Sequence, residues 1–323
     1  MRTLRRRRGR IGCDHIPENK QFPPEGLRPP TAYTIDTLKA AADSGEILEA
    51  ITQRCGADHT LHFSLDGIAA RMPREEAVAP WISGATREIA VLSRVGRPTC
   101  FVVSSLQSDA KGAPLALLSR RAAQETAMEF FLEHLEPGMV LTCRVVRLES
   151  FGAFLDIGCG VVAMLPIEHI SVSRIHHSNQ RFQEGQKILA AVYRIDPENR
   201  RITMSHRELL GTWMENASRF QPGETVRGIV RSVKPYGSFI ELSPNLSGLA
   251  DSREDLEVGD EVSVFIKNIR PERMKVKLQV IEKLPLTESI PPLAYQITDG
   301  KLDRWTYSPP GCEKVVETVF TAP

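Results

Sequence analysis

The sequence lacks most of the features by which enzymes, metalloproteins and membrane proteins are recognised. No apolar run approaches the length that spans a bilayer, and no apolar segment of signal-peptide length follows the arginine-rich start. The six cysteines show no spacing suited to zinc, and phosphate-binding loops, nucleophile elbows and HExxH pairs are absent from the sequence. We therefore expect a cytoplasmic protein that is not an enzyme, with free thiols, no metal and no cofactor.

The net charge of +1 is close to zero, but the charge is unevenly distributed. Residues 1–30 contain RTLRRRRGR and few acids, whereas the segment after residue 281 is more acidic. The arginines and the prolines that follow them predict a disordered arm over residues 1–33. Two interpretations of this arm stay open: an electrostatic arm for ribosomal RNA or another polyanion, and a solubilising tail.

What the sequence does contain is an internal repeat. The stretch PGMVLTCRVVRLESFGAFLDIGCGVVAMLP at 137–166 predicts three β-strands, and it recurs 85 residues later as PGETVRGIVRSVKPYGSFIELSPNLSGLAD. The matched residues are Gly138 and Gly223, Phe151 and Tyr236, Gly152 and Gly237, and Phe154 and Phe239. A β-bulge at Gly152 would change the strand parity, so that both rings of the first copy could serve one surface.

A second shared block follows each copy at an offset of 74 residues, aligning Gly185 with Gly259 and Arg201 with Lys275. The later copy thus lacks eleven residues between its third and fourth strands, which a loop can absorb.

A fainter copy precedes both by 93 residues, with its framework at Gly45, Gly67, Met72 and Pro73. Asp58 and Leu61 occupy the ring positions of this copy, so we expect no base-stacking platform there. His59, His62 and Phe63 lie nearby, and we interpret them chiefly as ordinary strand residues.

The glycines, the FGAF and YGSF segments and the later EGQ and IDPE-like blocks resemble the S1 RNA-binding domain family over roughly residues 44–280. The resemblance implies an all-β fold with short helices: three tandem five-stranded OB-fold barrels joined by helical linkers, plus a C-terminal β-hairpin appendage. The expected divisions are an arm at 1–33, a degenerate barrel at 34–121, a linker at 122–135, a barrel at 136–206, a linker at 207–221, a barrel at 222–281 and the appendage at 282–323.

Helical spacing predicts a short helix after Tyr33, a second over SRRAAQETAMEFFLEHLE and a third over RELLGTWMENASRF. Trp213 in the last of these is expected to pack against a barrel. In the tail, Asp299 and Gly300 predict the turn of a hairpin between AYQIT and KLDRWTY, and VVETVF predicts a further strand. Two interpretations of the tail stay open, a small β-appendage for a protein or ribosome partner and a segment that closes over the third barrel, and Trp305 and Tyr307 fit both.

In the family, two aromatic residues of the second strand stack on bases, and a basic residue precedes the last strand. The resemblance assigns stacking to Phe151, Phe154, Tyr236 and Phe239, and the basic role to Arg201 and Lys275. Further candidates for phosphate contact are Arg144, Arg147, Arg227 and Arg231. His169 is a weak replacement for a third-strand histidine that many members have, because this chain has Pro166 and Asp251 there. One ring of each pair is expected to be part of the core.

These residues predict a protein that holds single-stranded messenger RNA by stacking and phosphate neutralisation, at or near the small ribosomal subunit. We expect a monomer with no membrane partner. Two other hypotheses stay open. One is an adaptor whose barrels dock proteins or structured ribosomal RNA, as in ribosome maturation or transcription elongation. The other is an RNA-processing accessory bound to a nuclease.

Overall fold

The computed structural model describes residues 21–82, 84–285 and 293–321, which form two closed barrels, one open curled sheet and a small hairpin. The expected all-β fold with short helices is confirmed. The first unit contains α1 Ile35–Ser44, β1 Ile47–Ile51, β2 Arg54–Cys55, β3 Leu61–Leu65, β4 Ile68–Met72, α2 Gly84–Leu92, β5 Pro98–Ser108 and β6 Pro114–Ser119, and α3 Arg120–His134 follows it.

The middle barrel contains β7 Val140–Glu149, β8 Gly152–Gly158, β9 Val161–Pro166, β10 Lys187–Asp196 and β11 Arg201–Ser205. After α4 Trp213–Ala217, the third barrel contains β12 Thr225–Lys234, β13 Gly237–Ser243, β14 Leu246–Ala250, β15 Glu261–Arg270 and β16 Lys275–Lys283. The last two strands, β17 Arg304–Thr306 and β18 Glu317–Val319, pair with each other. None of the helices in these described residues is long and apolar enough to cross a membrane.

The predicted helices are present, and capping residues mark the ends of α1 and the start of α4. Thr34 and Thr37 make a capping box at the start of α1, and Gly45 ends the helix in a left-handed conformation. The expected helix between the first two units is α3, and α4 begins with a second capping box between Thr212 and Glu215. Trp213 is buried in the core of the third barrel, as predicted.

The strands of the first unit pair in the same order as those of the barrels, but the sheet is open at one point. In the middle barrel, β7 pairs with both β10 and β8 and so closes the sheet. In the first unit that strand is split, so that β1 pairs with β5 and β2 pairs with β3. The break falls at Thr52, whose hydroxyl lies 2.9 Å from that of Thr99, and Gln53, whose amide donates to the carbonyl of His62.

The bulge predicted at Gly152 is wrong, because the register is regular there and shifts on β7 between Val145 and Arg147. Phe151 lies in the β7–β8 turn, so the alternation of side chains along a strand does not determine the face on which its ring lies. Gly152 is nevertheless required, since its φ is +153° and a Cβ would lie 2.2 Å from the carbonyl oxygen of Leu165.

The chain preceding the first unit is packed where the structure describes it. Phe22 is part of the core cluster of the middle barrel, and Glu25 is buried between the first unit and α3. The arm predicted over residues 1–33 is therefore wrong for residues 21–28, whose partners lie far along the chain. The arginine run itself, from Arg5 to Arg10, lies outside the described residues.

Residues 293–321, which we call the C-terminal strap, run across the middle and third barrels. The hairpin predicted at Asp299 and Gly300 is wrong: Lys301 forms a bridge with Met139 of the middle barrel. The hairpin of the tail is formed instead by β17 and β18, and the latter confirms a strand in VVETVF. Trp305 and Tyr307 of the strap pack in the core of the third barrel.

Candidate nucleic-acid interface

Two pairs of aromatic rings stand on the surface at equivalent places in the middle and third barrels. Phe151 is 54% exposed and its ring centroid lies 6.0 Å from that of the half-buried Phe154, at an interplanar angle of 84°. Tyr236 is 67% exposed and lies 6.3 Å from Phe239, which is 37% exposed, at 90°. The expectation that one ring of each pair is core is wrong. Edge-to-face pairs of this kind offer apolar faces to a planar ligand.

Strand alternation explains why the second ring of each pair faces outward. Ala153 and Leu155, on either side of Phe154, are fully buried in the middle barrel. Ser238 and Ile240 flank Phe239 in the same way. The first ring of each pair precedes its strand, and a glycine follows it because the backbone passes close to the neighbouring strand.

The outward ring of each barrel belongs to a row of side chains that runs across three strands. In the middle barrel Phe154 lies opposite Arg147 on one side and Met164 on the other. In the third barrel Phe239 lies between Ser232 and Leu249. We call these the ring rows. Met164 and Leu249 extend the apolar surface beside the rings and were missed in the sequence, although period-two alternation places them outward.

Several of the predicted cations lie exposed on the barrels that carry the rings. Arg147 is exposed beside Phe154 and forms an ion pair with Glu149 at 2.5 Å. Arg227 is exposed and pairs with Glu261 at 2.5 Å. Arg201 and Lys275 are exposed at the start of the last strand of each barrel. The Arg147–Glu149 pair is a surface ion pair of the weak kind, so it leaves the guanidinium accessible to a polyanion, whereas the carboxylate of Glu261 is buried and holds one side of Arg227.

Three predicted phosphate or ligand contacts are corrected by the structure. Arg231 is 5% exposed, and its guanidinium donates two hydrogen bonds to Glu241 at 2.9 and 3.2 Å. Arg181 of the loop between β9 and β10 binds the same carboxylate. Arg231 is therefore held inside the third barrel and is not available to phosphate, and Arg181 joins the middle barrel to the third through the same carboxylate.

Arg144 and His169 are the other two predicted contacts that the structure corrects. Arg144 donates to the carbonyl of Glu25 at 2.7 Å and to that of Gly185 at 3.3 Å, so it anchors the segment before the first unit. The His169 ring packs 4.3 Å from Tyr193, and its Nδ1 lies 3.0 Å from the Ser205 hydroxyl. Burial and then the charge of Arg207 lower the pKa of His169, so the ring is neutral at neutral pH.

The first unit has no ring row, as predicted. Leu61 is buried, and Asp58 caps the β2–β3 turn by accepting hydrogen bonds from the amide and hydroxyl of Thr60. Among the described residues no group of three or more His, Cys, Asp or Glu side chains could hold a metal ion.

Comparison with known proteins finds a family model that matches the middle barrel and relatives that are similar to about half of the chain. Residues 134–207 match the model of the S1 RNA binding domain. The chain is 30% identical over 187 residues to the small ribosomal subunit protein bS1 homolog of Bacillus subtilis, covering 52% of this chain and 49% of that protein. It is 32% identical over 190 residues to small ribosomal subunit protein bS1 of Leuconostoc lactis, covering 53% and 44%.

A solved structure of a multidomain protein with nucleic acid binding domains from Streptococcus pneumoniae is 13% identical, with a TM-score of 0.25 and 73% of each chain covered. The chain spans about half the length of the curated relatives it matches. Residues 134–207 therefore match the S1 RNA binding domain, and about half of the chain is similar to bacterial small ribosomal subunit protein bS1.

Proposed function

We propose that this protein binds single-stranded RNA through the ring rows of its middle and third barrels. The observation that carries the proposal is the repetition of one exposed edge-to-face ring pair, 85 residues apart, beside exposed cations. Unstacked bases are available only in single strands, and each base stacked on a ring contributes about 1–3 kcal/mol. Exposed arginine and lysine side chains neutralise the phosphates between the bases.

The two barrels act as one binding unit in this proposal. The buried carboxylate of Glu241 is shared by Arg181 and Arg231, and Ser173 and Asn245 add hydrogen bonds across the same interface. The C-terminal strap contacts both barrels as well. A fixed spacing raises the effective concentration of the second site once the first is occupied, so two weak sites yield one tighter one.

We further propose that the bound RNA is messenger RNA and that the protein works at the small ribosomal subunit in a bacterial cytoplasm, as a monomer and without catalysis. The names of the relatives support this assignment. Sedimentation of the protein with purified small subunits through a sucrose gradient tests it, and co-migration is expected. Migration at the top of the gradient in the presence of subunits would contradict ribosome association but not RNA binding.

The test of RNA binding is fluorescence anisotropy of a labelled, unstructured RNA at low and high salt. We expect the variant with Phe151, Phe154, Tyr236 and Phe239 all changed to alanine to lose at least about 100-fold in affinity. The matched control changes Met214 and Ile89, two exposed apolar residues outside the ring rows, to alanine and should bind like the wild type. If the wild type fails to bind, or the ring variant binds equally well, the barrels are protein-docking modules.

A further inference from the structure

The first unit carries, at the place of the ring row, a row of cationic and polar side chains. Arg54 on β2 lies opposite His62 on β3, and His62 lies opposite Arg71 on β4. The middle barrel has Arg147, Phe154 and Met164 at the corresponding register, so the two rows differ only in their side chains. We call Arg54, His62 and Arg71 the cationic row. Sequence offset alone aligns Phe154 with Leu61 and thereby hides this equivalence.

The geometry of the row suits an anion. Directly opposed residues of paired strands point to the same face, and strands lie about 4.8 Å apart, so the two arginines stand about 10 Å apart with His62 between them. Arg54 and Arg71 are both exposed, and His62 is half-buried. An anion of phosphate size placed over His62 lies within reach of both guanidinium groups, because each side chain is long and flexible.

The charges around the row leave the arginines available. Within the described residues neither Arg54 nor Arg71 forms an ion pair with a carboxylate, whereas Arg147 in the middle barrel pairs with Glu149. The acid whose charge acts on His62 is Asp58, which also accepts hydrogen bonds from Thr60 at 3.1 and 2.9 Å. Two arginines against this one carboxylate leave a net positive charge on the row.

His62 is held as a donor toward a ligand. The Arg54 guanidinium lies 3.3 Å from Nδ1 of His62, and a guanidinium can only donate, so Nδ1 accepts and the proton of the neutral ring resides on Nε2. Burial lowers the pKa of His62, and the charges of Arg54 and Arg71 lower it further, which keeps the ring neutral at neutral pH. The cationic row then offers the charged guanidinium groups of Arg54 and Arg71 and one neutral N–H group, that of His62.

We propose that the cationic row is a binding site for the phosphodiester backbone of single-stranded nucleic acid. The first unit would thus extend the contact made by the two barrels, holding phosphates where they hold bases. The row has no exposed ring on which a base could stack, and paired arginines recognise phosphate through their fork geometry. The inference rests on the proposed function in one respect, that the phosphates belong to the same RNA.

The salt dependence of RNA affinity tests the site. Each phosphate contact on a single strand contributes about 0.7 to the slope of log affinity against log salt. Three proteins are titrated with a labelled, unstructured RNA of about 40 nucleotides, long enough for several OB-type sites: the wild type, R54Q/R71Q and K39Q/K111Q. The last removes two exposed charges of the same unit from other elements, α1 and the β5–β6 turn.

We expect R54Q/R71Q to lower the slope by about 1.4 and K39Q/K111Q to leave it unchanged. Equal slopes in the two variants would overturn the phosphate site. Circular dichroism and thermal melting establish that both variants fold, which is expected because all four side chains are exposed.

A second titration distinguishes failure of the proposed RNA binding from failure of the cationic row. If the wild type does not bind RNA, the same three proteins are titrated with a labelled abasic phosphodiester strand, which offers charge without bases. Weaker binding by R54Q/R71Q alone would still support the cationic row. Equal binding by all three, or by none, would overturn it.

Discussion

The first unit and the middle barrel end their last strands with nearly the same residues, Ser119-Arg120-Arg121 and Ser205-His206-Arg207. In both, the middle residue of the three is buried and holds an extended segment from elsewhere in the chain. Arg120 binds Glu25 of the segment before the first unit through two hydrogen bonds of 2.7 and 3.0 Å. His206 lies 3.2 Å from the Tyr295 hydroxyl of the C-terminal strap.

The comparison teaches that one structural position can be stabilised by a charge pair or by neutral hydrogen bonds. Glu25 satisfies two buried arginines, Arg120 and Arg94, and the Arg94 guanidinium lies 2.5 Å from its carboxylate. His206 is neutral: its Nδ1–H donates to the carbonyl of Ile170 at 2.8 Å, and its Nε2 accepts from Tyr295. The two attachments should therefore respond differently to mutation and to acid.

The largest effect is expected from Glu25→Ala. The change leaves Arg94 and Arg120 as uncompensated buried charges, which typically destabilises a protein by about 3–5 kcal/mol. Thermal or urea unfolding measures the loss, and Glu133→Ala on the exposed surface of α3 is the matched control. A change of less than about 1 kcal/mol would mean that the ion cluster does not hold the first unit to the middle barrel.

Acid should release the strap before it releases the first unit. Burial lowers the pKa of His206 to about 4, below its unfolded value near 6.5, so its contribution is complete above about pH 6.5 and is lost as the pH falls toward 4. A shift of this size corresponds to about 3 kcal/mol. Glu25, although burial opposes ionisation, has a pKa lowered to about 2 by Arg120 and Arg94, so its contribution is lost only between about pH 4.5 and 2.

Fluorescence of Trp305, which packs beside Tyr307 in the strap, monitors the first step of an acid titration. We expect His206→Gln to weaken the strap at neutral pH and to remove its response between pH 6.5 and 4. A variant that retains the full wild-type response in this range would assign the titration to another group.

Ring removal compares the two barrels directly. Phe151→Ala/Phe154→Ala and Tyr236→Ala/Phe239→Ala should each reduce RNA affinity about 10- to 100-fold, since each stacked base contributes about 1–3 kcal/mol. The two double variants are measured by anisotropy with the same RNA. If one of them binds like the wild type, the RNA uses a single barrel.

The smallest expected effect is a gain. His62→Phe places a ring at the position in the first unit that Phe154 occupies in the middle barrel. If the side chains are all that separates the two rows, the ring should add about 1 kcal/mol, or about a fivefold increase in RNA affinity. His62→Leu is the control for added apolar surface without a stacking face. No difference between the two variants would mean that the first unit does not approach the bases.

The repeat made much of the molecule predictable. Two copies 85 residues apart indicated the strands, the positions of the ring pairs and the inserted loop, because the same pattern of glycines and alternating residues produces the same strands each time. Asp58 and Leu61 also indicated that the first unit has no ring row. The position of the cationic row was not predicted, since the turn from Arg54 to His62 is one residue longer than the turn from Arg147 to Phe154, which shifts the alignment by one residue.

The residues that were misassigned share one property, a partner remote in sequence. Arg231 is of a residue type that commonly contacts phosphate, yet it binds the buried carboxylate of Glu241. Arg181, which binds the same carboxylate, lies 60 residues from Glu241 in the sequence. Glu25 is 95 residues from Arg120, and nothing in its proline-rich surroundings indicates burial. Contact of the strap with the third barrel was one of two alternatives left open by the sequence, but its contacts with Met139 and His206 of the middle barrel were not predicted, because those partners are equally distant.

By itself, the sequence determined the type of module, the number of copies and the positions of the ring pairs in the two stronger copies, since these depend on local periodicity and on glycines at close backbone contacts. Only the tertiary structure decided which arginines face solvent and which hold the barrels together. The physical reason is that a charged side chain is suited to either role, and the choice depends on whether a distant carboxylate comes within hydrogen-bonding reach when the chain folds.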